Sequence, residues 1–119
     1  SLRTTLYVMN LLPGDVVWVD LEPTRGREQG GVRPGVVVSS AAALEAVDSL
    51  AIVIPLTTRD RGWPNHVPVA GMTGLSAASW AMTEQPRCVA RERILRWTGA
   101  VDDETFDTIR MYLRDALDL

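Results

Sequence analysis

Two short polar segments carry the side chains best suited to chemistry on an anionic substrate. Residues 22–33 (EPTRGREQGGVR) combine three glycines and three arginines with two acids and one glutamine. Residues 57–62 (TTRDRG) place two hydroxyls ahead of two arginines. Hydroxyls donate hydrogen bonds to phosphate oxygens, and the planar guanidinium matches them bidentately. Residues 57–62 therefore suit a phosphodiester, although a threonine at a strand end is more often a turn former.

The glycines of residues 22–33 predict a loop whose backbone can approach a ligand closely. Arg33 ends this loop at the start of a predicted strand, which would hold its side chain rigidly. The loop contains neither the G-x-G-x-x-G fingerprint of dinucleotide binding nor the G-x-x-x-x-G-K of a P-loop. With one histidine, His66, and one cysteine, Cys88, the sequence excludes an intrachain disulfide and leaves no credible zinc site. No metal and no cofactor is expected.

Composition and charge indicate a folded domain with a locally basic surface. The 119 residues are 46% apolar and 23% charged, enough to bury a core without staples. The net charge of −3 argues against a simple polyanion-coating protein. The charge is uneven, however, since residues 101–119 hold six acids against two arginines and residues 59–96 hold six arginines against three acids. This distribution permits an RNA site on one face.

Hydrophobic periodicity predicts several short strands followed by one amphipathic helix. Strands are expected at residues 15–21, 33–39, 50–58, 66–70, 79–83, 87–90 and 94–97, with a short helix at 40–48. Near the end of the chain, Phe106, Ile109, Leu113 and either Ala116 or Leu117 form one helical stripe, with Asp102 or Asp103 as N-cap. The predicted fold is a small α+β barrel-like domain with a C-terminal amphipathic helix.

The aromatic residues and the cysteine are mostly assigned to the core. Trp18, Trp80 and Trp97 lie in or beside predicted strands, which favours packing over base stacking. Cys88 is expected to be a small buried apolar residue. Trp63, between two strands, is expected to be exposed, where it can stack on a base or meet a protein partner.

Targeting signals are not apparent in this sequence. Met9 looks like a natural start, so residues 1–8 are expected to be an extension and residues 9–119 one domain. No apolar run approaches the roughly 20 residues of a membrane span, and no signal peptide is recognised. The chain is therefore expected to be cytoplasmic, with no membrane partner.

Three motifs together resemble the MazF/PemK (Kid) family of toxin ribonucleases. They are GDVVWVDLEPTRGREQGGVRPGVVVS at 14–39, IPLTT at 54–58 and EQPR at 84–87. The similarity covers residues 12–119, and the 14–39 block is specific in content and spacing. It implies a homodimeric SH3-like barrel of the CcdB/MazF/Kid type with a C-terminal helix. It further implies metal-independent, sequence-specific cleavage of single-stranded RNA and neutralisation by a MazE-like antitoxin.

The resemblance also assigns roles to individual residues. It gives catalytic roles to Arg33 in the R-P pair and to Thr57 at the end of the third strand. It places a mobile-loop E-Q pair at Glu28 and Gln29, and an RNA-holding segment at Gln85 and Arg87. Together with our own assignments, the predicted substrate-binding residues are Arg27, Gln29, Thr58, Arg59, Trp63, Gln85 and Arg87. Arg27 and Pro86 depart from the family's usual residues, and proline removes one backbone donor.

Cleavage without a metal is chemically possible because the 2′-OH of RNA can attack the adjacent phosphorus, giving 2′,3′-cyclic phosphate and 5′-OH ends. Such an enzyme must deprotonate the hydroxyl, stabilise charge on phosphorus and protonate the leaving oxygen. Arg33 suits charge stabilisation, but the very high pKa of a guanidinium suits proton transfer poorly. Glu28 is a candidate general base by its chemistry, and His66 is the alternative by its pKa. A solvated strand-edge position is nonetheless the more frequent role for such a histidine.

Other functions remain open at this point. A gyrase-binding toxin of the CcdB type would share the fold, but it would not need Arg33 and Thr57 together. A non-catalytic SH3-like binding module would show an exposed aromatic groove, whereas the loops here are rich in glycine and arginine. A catalytically inactive homologue is a further alternative.

Overall fold

The computed structural model describes residues 10–22 and 31–119, which form an antiparallel sheet and a long C-terminal helix. The elements are β1 (Asp15–Asp20), β2 (Val32–Val37), α1 (Ala41–Ala46), β3 (Leu50–Thr57), β4 (His66–Pro68), β5 (Trp80–Met82), β6 (Arg87–Ala90), β7 (Ile94–Ala100) and α2 (Asp103–Leu117). A 3₁₀ turn, Arg91–Arg93, joins β6 to β7. The predicted extension at residues 1–8 lies outside the described residues.

The apolar strand β3 is the centre of the sheet. The strand order is β4-β5-β3-β2-β1-β7, and β6 also pairs with β3. One edge of β3 bonds to β2, while its other edge is shared between β6 at residues 50–53 and β5 at residues 56–57. Every pairing is antiparallel. The predicted α+β class with a C-terminal helix is confirmed.

The end strands β4 and β7 do not pair with each other, so the strands alone do not close a barrel. Instead, the chain that follows β4 runs along β7. The amide of Ala100 donates to the carbonyl of Met72 at 3.0 Å, and the amide of Asp102 donates to that of Ala70 at 2.8 Å. A Cβ atom at Gly99 would overlap the Met72 carbonyl oxygen. A glycine is thus required where the two backbones meet.

Each face of the sheet carries a buried apolar cluster, which explains why buried residues alternate between two clusters along the strands. Val17, Val19 and Val53 belong to a cluster on one face. Val16 and Ile54 belong to a second cluster, on the opposite face. Helix α2 covers this second cluster and contributes Ile109, which is fully buried.

Helix α2 begins at a side-chain N-cap, and its apolar stripe ends before the helix does. The Asp102 carboxylate accepts a hydrogen bond from the Thr105 amide at 2.8 Å, which confirms the first of the two predicted N-caps. The apolar stripe packs only as far as Leu113. Ala116 and Leu117 are exposed, so the predicted stripe extends too far.

Candidate active site

The sheet register brings the two predicted catalytic residues together. In the β2–β3 ladder Gly35 pairs with Pro55, and the same register continued by two residues sets Arg33 across from Thr57. A guanidinium nitrogen of Arg33, Nη1, donates to the Leu56 carbonyl at 3.2 Å. Arg33 is half-buried, and this burial lowers the pKa of its guanidinium. The side chain is thus anchored at one nitrogen beside Thr57.

The Thr57 hydroxyl is held by a local turn. Its Oγ1 accepts a hydrogen bond from the Arg59 amide at 3.1 Å, the pattern of an ST-turn. The turn-forming role expected for a strand-end threonine is therefore present. This contact uses a lone pair and not the hydroxyl proton, so the proton can still be donated to an anionic oxygen. Turn formation and phosphate binding are compatible at this residue.

Arg33 and Thr57 line one open cavity of about 220 Å³. Its remaining lining residues are Pro34, Leu56, Thr58 and Ser79. Sequence reasoning missed Ser79, which is buried and donates to the Ala77 carbonyl at 3.1 Å. No motif contained it, and only the pairing of Thr57 with the neighbouring Trp80 brings it here. A phosphate group could enter this cavity and meet a cation and a hydroxyl donor.

The loop residues predicted to complete the site cannot be placed. Arg27, Glu28 and Gln29 lie outside the described residues. The segment's two flanks are described, and there Leu21 donates from its amide to the Gly31 carbonyl at 3.0 Å. The Gly31 amide in turn donates to Oε1 of Glu22 at 2.6 Å. Two hydrogen bonds thus join the ends of the loop.

Two arginines also bind the first flank of this loop. Arg87, predicted to hold RNA, donates from Nη2 to the Leu21 carbonyl at 3.2 Å. Arg93, which sequence reasoning did not single out, donates to the Glu22 carbonyl. Both line a cavity of about 140 Å³ that is separate from the Arg33 cavity. In this structure, Arg87 supports the backbone at the base of the loop.

Not every arginine of the basic segment is available to a ligand. Arg91 is buried, with Nε donating to the Leu50 carbonyl at 2.8 Å and Nη2 to the Leu44 carbonyl at 2.5 Å. It ties helix α1 to β3. Thr58 and Arg59, by contrast, are exposed beside the Arg33 cavity, where the predicted contact with substrate is geometrically possible.

A second polar cluster lies beyond the loop that follows β3. His66 is buried, and its Nε2 lies 2.9 and 3.0 Å from the two carboxylate oxygens of Glu84. The expectation of a solvated histidine is therefore wrong, because β4 turns this side chain inward. With Nε2 engaged and the ring enclosed, His66 is also unsuited to the role of general base. Glu84 further accepts from Asn65 Nδ2 at 3.1 Å.

Trp63 and Gln85 border this cluster. The Trp63 side chain is 47% exposed, as predicted, and its ring centroid lies 4.8 Å from that of His66. Arg61 lies over the same indole ring at 5.5 Å. Gln85 Nε2 donates to a Glu84 oxygen at 3.4 Å. The predicted substrate-binding residues Trp63 and Gln85 thus share one hydrogen-bonded neighbourhood.

Cys88 differs from the expectation of a buried residue, since it is exposed. On β6, Val89 is buried and pairs with Ala51, whereas Cys88 pairs with Ile52 on the opposite face. Side chains alternate between the two faces of a strand, so the burial of Val89 leaves Cys88 on the exposed face. The short apolar run in the sequence did not reveal which of the two is buried. Trp18, Trp80 and Trp97 are each half-buried, in keeping with packing roles.

The described residues contain neither a group of metal ligands nor a helix of membrane-spanning length. Residues 10–22 and 31–119 contain no group of three or more histidine, cysteine or acidic side chains placed to hold a metal ion. Among the helices of this part of the chain, none is long and apolar enough to cross a membrane.

The sequence matches known proteins along most of its length. The model of the PemK-like, MazF-like toxins of type II toxin–antitoxin systems matches residues 12–117. "Endoribonuclease toxin MazF" of Escherichia coli K12 is 33% identical over 98 residues, covering 82% of this chain and 85% of that protein. "Endoribonuclease MazF9" of Mycobacterium tuberculosis is 36% identical over 112 residues, covering 89% and 95%.

Solved structures show the same fold. A crystal structure of MazF from Deinococcus radiodurans superposes with a TM-score of 0.79 at 27% identity, covering 92% of this chain and 97% of that one. A MazE–MazF structure from the same organism gives 0.73 at 28% identity, covering 92% and 96%. The chain belongs to the PemK/MazF family of type II toxin–antitoxin toxins.

Proposed function

We propose that this toxin is a sequence-specific endoribonuclease that cleaves single-stranded RNA without a metal ion. The observation that carries the proposal is the cavity lined by Arg33 and Thr57, where a phosphate would meet a guanidinium and a hydroxyl proton. The endoribonuclease names of the E. coli and M. tuberculosis relatives support the same activity. An RNA substrate makes the cytoplasm the place of action.

In this mechanism the 2′-OH of the substrate attacks the adjacent phosphorus and the 5′-oxygen of the next nucleotide leaves. Thr57 Oγ1 donates a hydrogen bond to a phosphate oxygen, and Arg33 neutralises the charge that grows on phosphorus. Arg33 does not move the proton. Burial lowers the pKa of its side chain, but a guanidinium still stays protonated. Glu28 takes the proton of the 2′-OH as general base, and water protonates the leaving 5′-oxygen. The products are a 2′,3′-cyclic phosphate and a 5′-OH.

Substrate contacts extend the site beyond the scissile phosphate. We assign RNA binding to the exposed residues near the cavity and to the loop between β1 and β2. The residues concerned are Arg27, Gln29, Thr58, Arg59, Trp63, Gln85 and Arg87. Arg87 acts by supporting the loop base, since its guanidinium contacts the Leu21 carbonyl. The protein acts as a homodimer, and residues 9–119 constitute its toxin domain.

An antitoxin partner follows from the same surface. The D. radiodurans MazF is known in complex with MazE, and this chain resembles it along almost its whole length. We propose that a MazE-like antitoxin neutralises this toxin with an acidic, partly apolar tail that folds on binding. Such a tail would compete with RNA for the arginines around the cavity.

The test is cleavage of a long single-stranded RNA in the presence of EDTA, with the ends of the products mapped. Wild type should make discrete cuts with cyclic-phosphate and 5′-OH ends, and Arg33→Ala should lower kcat by at least about 100-fold. Thr57→Val should also lose most activity, whereas Thr57→Ser should keep it because the hydroxyl remains. Arg114→Ala, on the exposed end of α2, is the charge-matched control. Intact RNA with wild type, or full activity of Arg33→Ala, would contradict the proposal.

A further inference from the structure

The hydrogen bonds of Glu84 connect two segments of the chain that are distant in sequence. Its carboxylate accepts hydrogen bonds from His66 and Asn65, which border β4, and from Gln85, which precedes β6. A second bond joins the same two segments, since Thr83 Oγ1 donates to the Asn65 carbonyl at 2.7 Å. The Trp63 loop and the turn at Gln85 are therefore fixed relative to each other.

Burial makes this connection rigid at its centre. The His66 side chain is only 2% exposed, and it places its ring against the indole of Trp63. Its Nδ1 is buried without a partner in the described residues, so the ring is held chiefly through Nε2 and Glu84. The hydrogen bonds to Glu84 outweigh its partial burial and lower the pKa of its carboxyl group. Glu84 is thus charged at neutral pH.

The cluster lies on the same face of the sheet as the proposed catalytic residues. Thr57 pairs with Trp80, and Trp80 pairs with Pro68. His66 is two residues before Pro68 on the same strand, so both side chains point to the face that carries Thr57. The loop that bears Trp63 also begins at Thr58, which lines the Arg33 cavity. The loop from Thr58 to Trp63 thus connects the cavity to the cluster along the chain.

The Trp63 platform has the features of a base-stacking site. Its indole is about half exposed, and Arg61 adds a positive charge over the ring. Every base can stack on an aromatic side chain, and guanidinium groups strengthen such sites. Stacking depends on the plane of the ring, and here the His66 ring packs against the indole with their centroids 4.8 Å apart.

We propose that His66 and Glu84 are positioning residues that orient Trp63 and Gln85 as a base-recognition subsite for a nucleotide next to the scissile phosphate. The proposal rests on the ribonuclease function above and specifies how part of its substrate is selected. Neither residue touches the reacting atoms. His66 acts through the Trp63 ring, and Glu84 acts through the histidine and the amide of Gln85.

The experiment uses the mapped cleavage site in a short RNA, with each flanking nucleotide in turn made abasic. For wild type, one abasic position should lower kcat/KM about tenfold, the loss expected for one stacked base. Trp63→Ala should show that same loss on the intact RNA and no further loss on the abasic RNA. This result would identify the nucleotide that stacks on Trp63.

The positioning variants are His66→Phe, which keeps a buried ring without the hydrogen bond, and Glu84→Gln, which keeps the shape without the charge. Both should lower kcat/KM on intact RNA, mainly through KM, and should relax the base preference at the stacked position. On the abasic RNA both should match wild type, which also proves that they are folded. Glu45→Gln, an exposed acid on α1, is the control.

The outcomes separate the two proposals. If wild type shows no Arg33-dependent cleavage, the ribonuclease function fails and this inference fails with it. If cleavage depends on Arg33 but Trp63→Ala leaves the abasic profile unchanged, only the subsite is contradicted. If Trp63→Ala behaves as expected while both positioning variants keep the wild-type profile, His66 and Glu84 do not position it.

Discussion

At the scale of single residues, the site combines an anchored cation with a hydroxyl held in a turn. Arg33 donates from Nη1 to the Leu56 carbonyl, and its side chain lines the cavity beside Thr57. Thr57 accepts from the Arg59 amide and keeps its proton for a ligand. Neither arrangement needs the substrate to form, so the site is preorganised for charge stabilisation.

The guanidinium geometry can be tested by Arg33→Lys. Lysine keeps the positive charge, but its ammonium lacks the planar fork that can bind a phosphate bidentately while another nitrogen holds the Leu56 carbonyl. We expect kcat on RNA to fall at least about tenfold, with a smaller change in KM. The measurement is single-turnover cleavage in EDTA. Wild-type kcat in the lysine variant would show that charge alone suffices.

At the scale of elements, the loop after β4 takes the place of a strand at the edge of β7. Gly74 has a φ of +73°, and a Cβ atom there would overlap the Thr98 carbonyl oxygen. Gly99 is equally confined under the Met72 carbonyl. Thr98 Oγ1 also donates to the Thr73 carbonyl at 2.8 Å. Close backbone contact therefore links the chain after β4 to β7, where strand pairing leaves the sheet open.

This close contact predicts that alanine substitutions at two glycines will destabilise the fold to different extents. Gly99→Ala should lower the free energy of unfolding by about 2 kcal/mol or more, because the clash is with backbone that cannot move aside cheaply. Gly62→Ala is the comparison, since Gly62 has a φ of +71° but no atom within 4 Å. It should cost only the left-handed backbone strain of about 1 kcal/mol. Urea unfolding measures both, and equal losses would contradict the prediction.

At the scale of the whole molecule, acid stability should depend on the Glu84 cluster. The pKa of Glu84 is lower in the folded protein than its ordinary value of 4.5, so the folded state binds the proton less tightly than the unfolded state. The stabilisation is therefore present above the ordinary pKa and is lost as pH falls through the lowered one. Glu84→Gln should remove this part of the acid dependence.

The measurement is the free energy of unfolding of wild type and Glu84→Gln from neutral pH down to about pH 3. The two curves should converge at the acid end, and the difference between them should appear as pH rises. Burial raises the pKa of Asp15, so this residue changes the free energy of unfolding with pH in the opposite direction. Both proteins contain Asp15, so its effect cancels in the comparison. Parallel curves over the whole range would contradict the assignment.

Local pattern was enough to predict most elements. Each predicted strand exists, and β6 has the predicted bounds, because alternation and β-branched residues are local properties. Strand β7 extends three residues beyond the predicted end at Trp97, since its pairing with β1 continues to Ala100. That pairing is long-range, and Gly99 in isolation argues against a strand.

The sequence by itself determined the family, the order of elements, and the identities of Arg33 and Thr57 as chemically suited residues. Only the tertiary structure decided what surrounds them, because sheet register and not local pattern sets which side chains meet. Register placed Ser79 in the cavity, buried His66 against Glu84 and exposed Cys88. The same register brings the segment that carries Trp63 next to the segment that carries Gln85. The two residues are 22 positions apart in the chain, so their sequence positions do not predict this proximity.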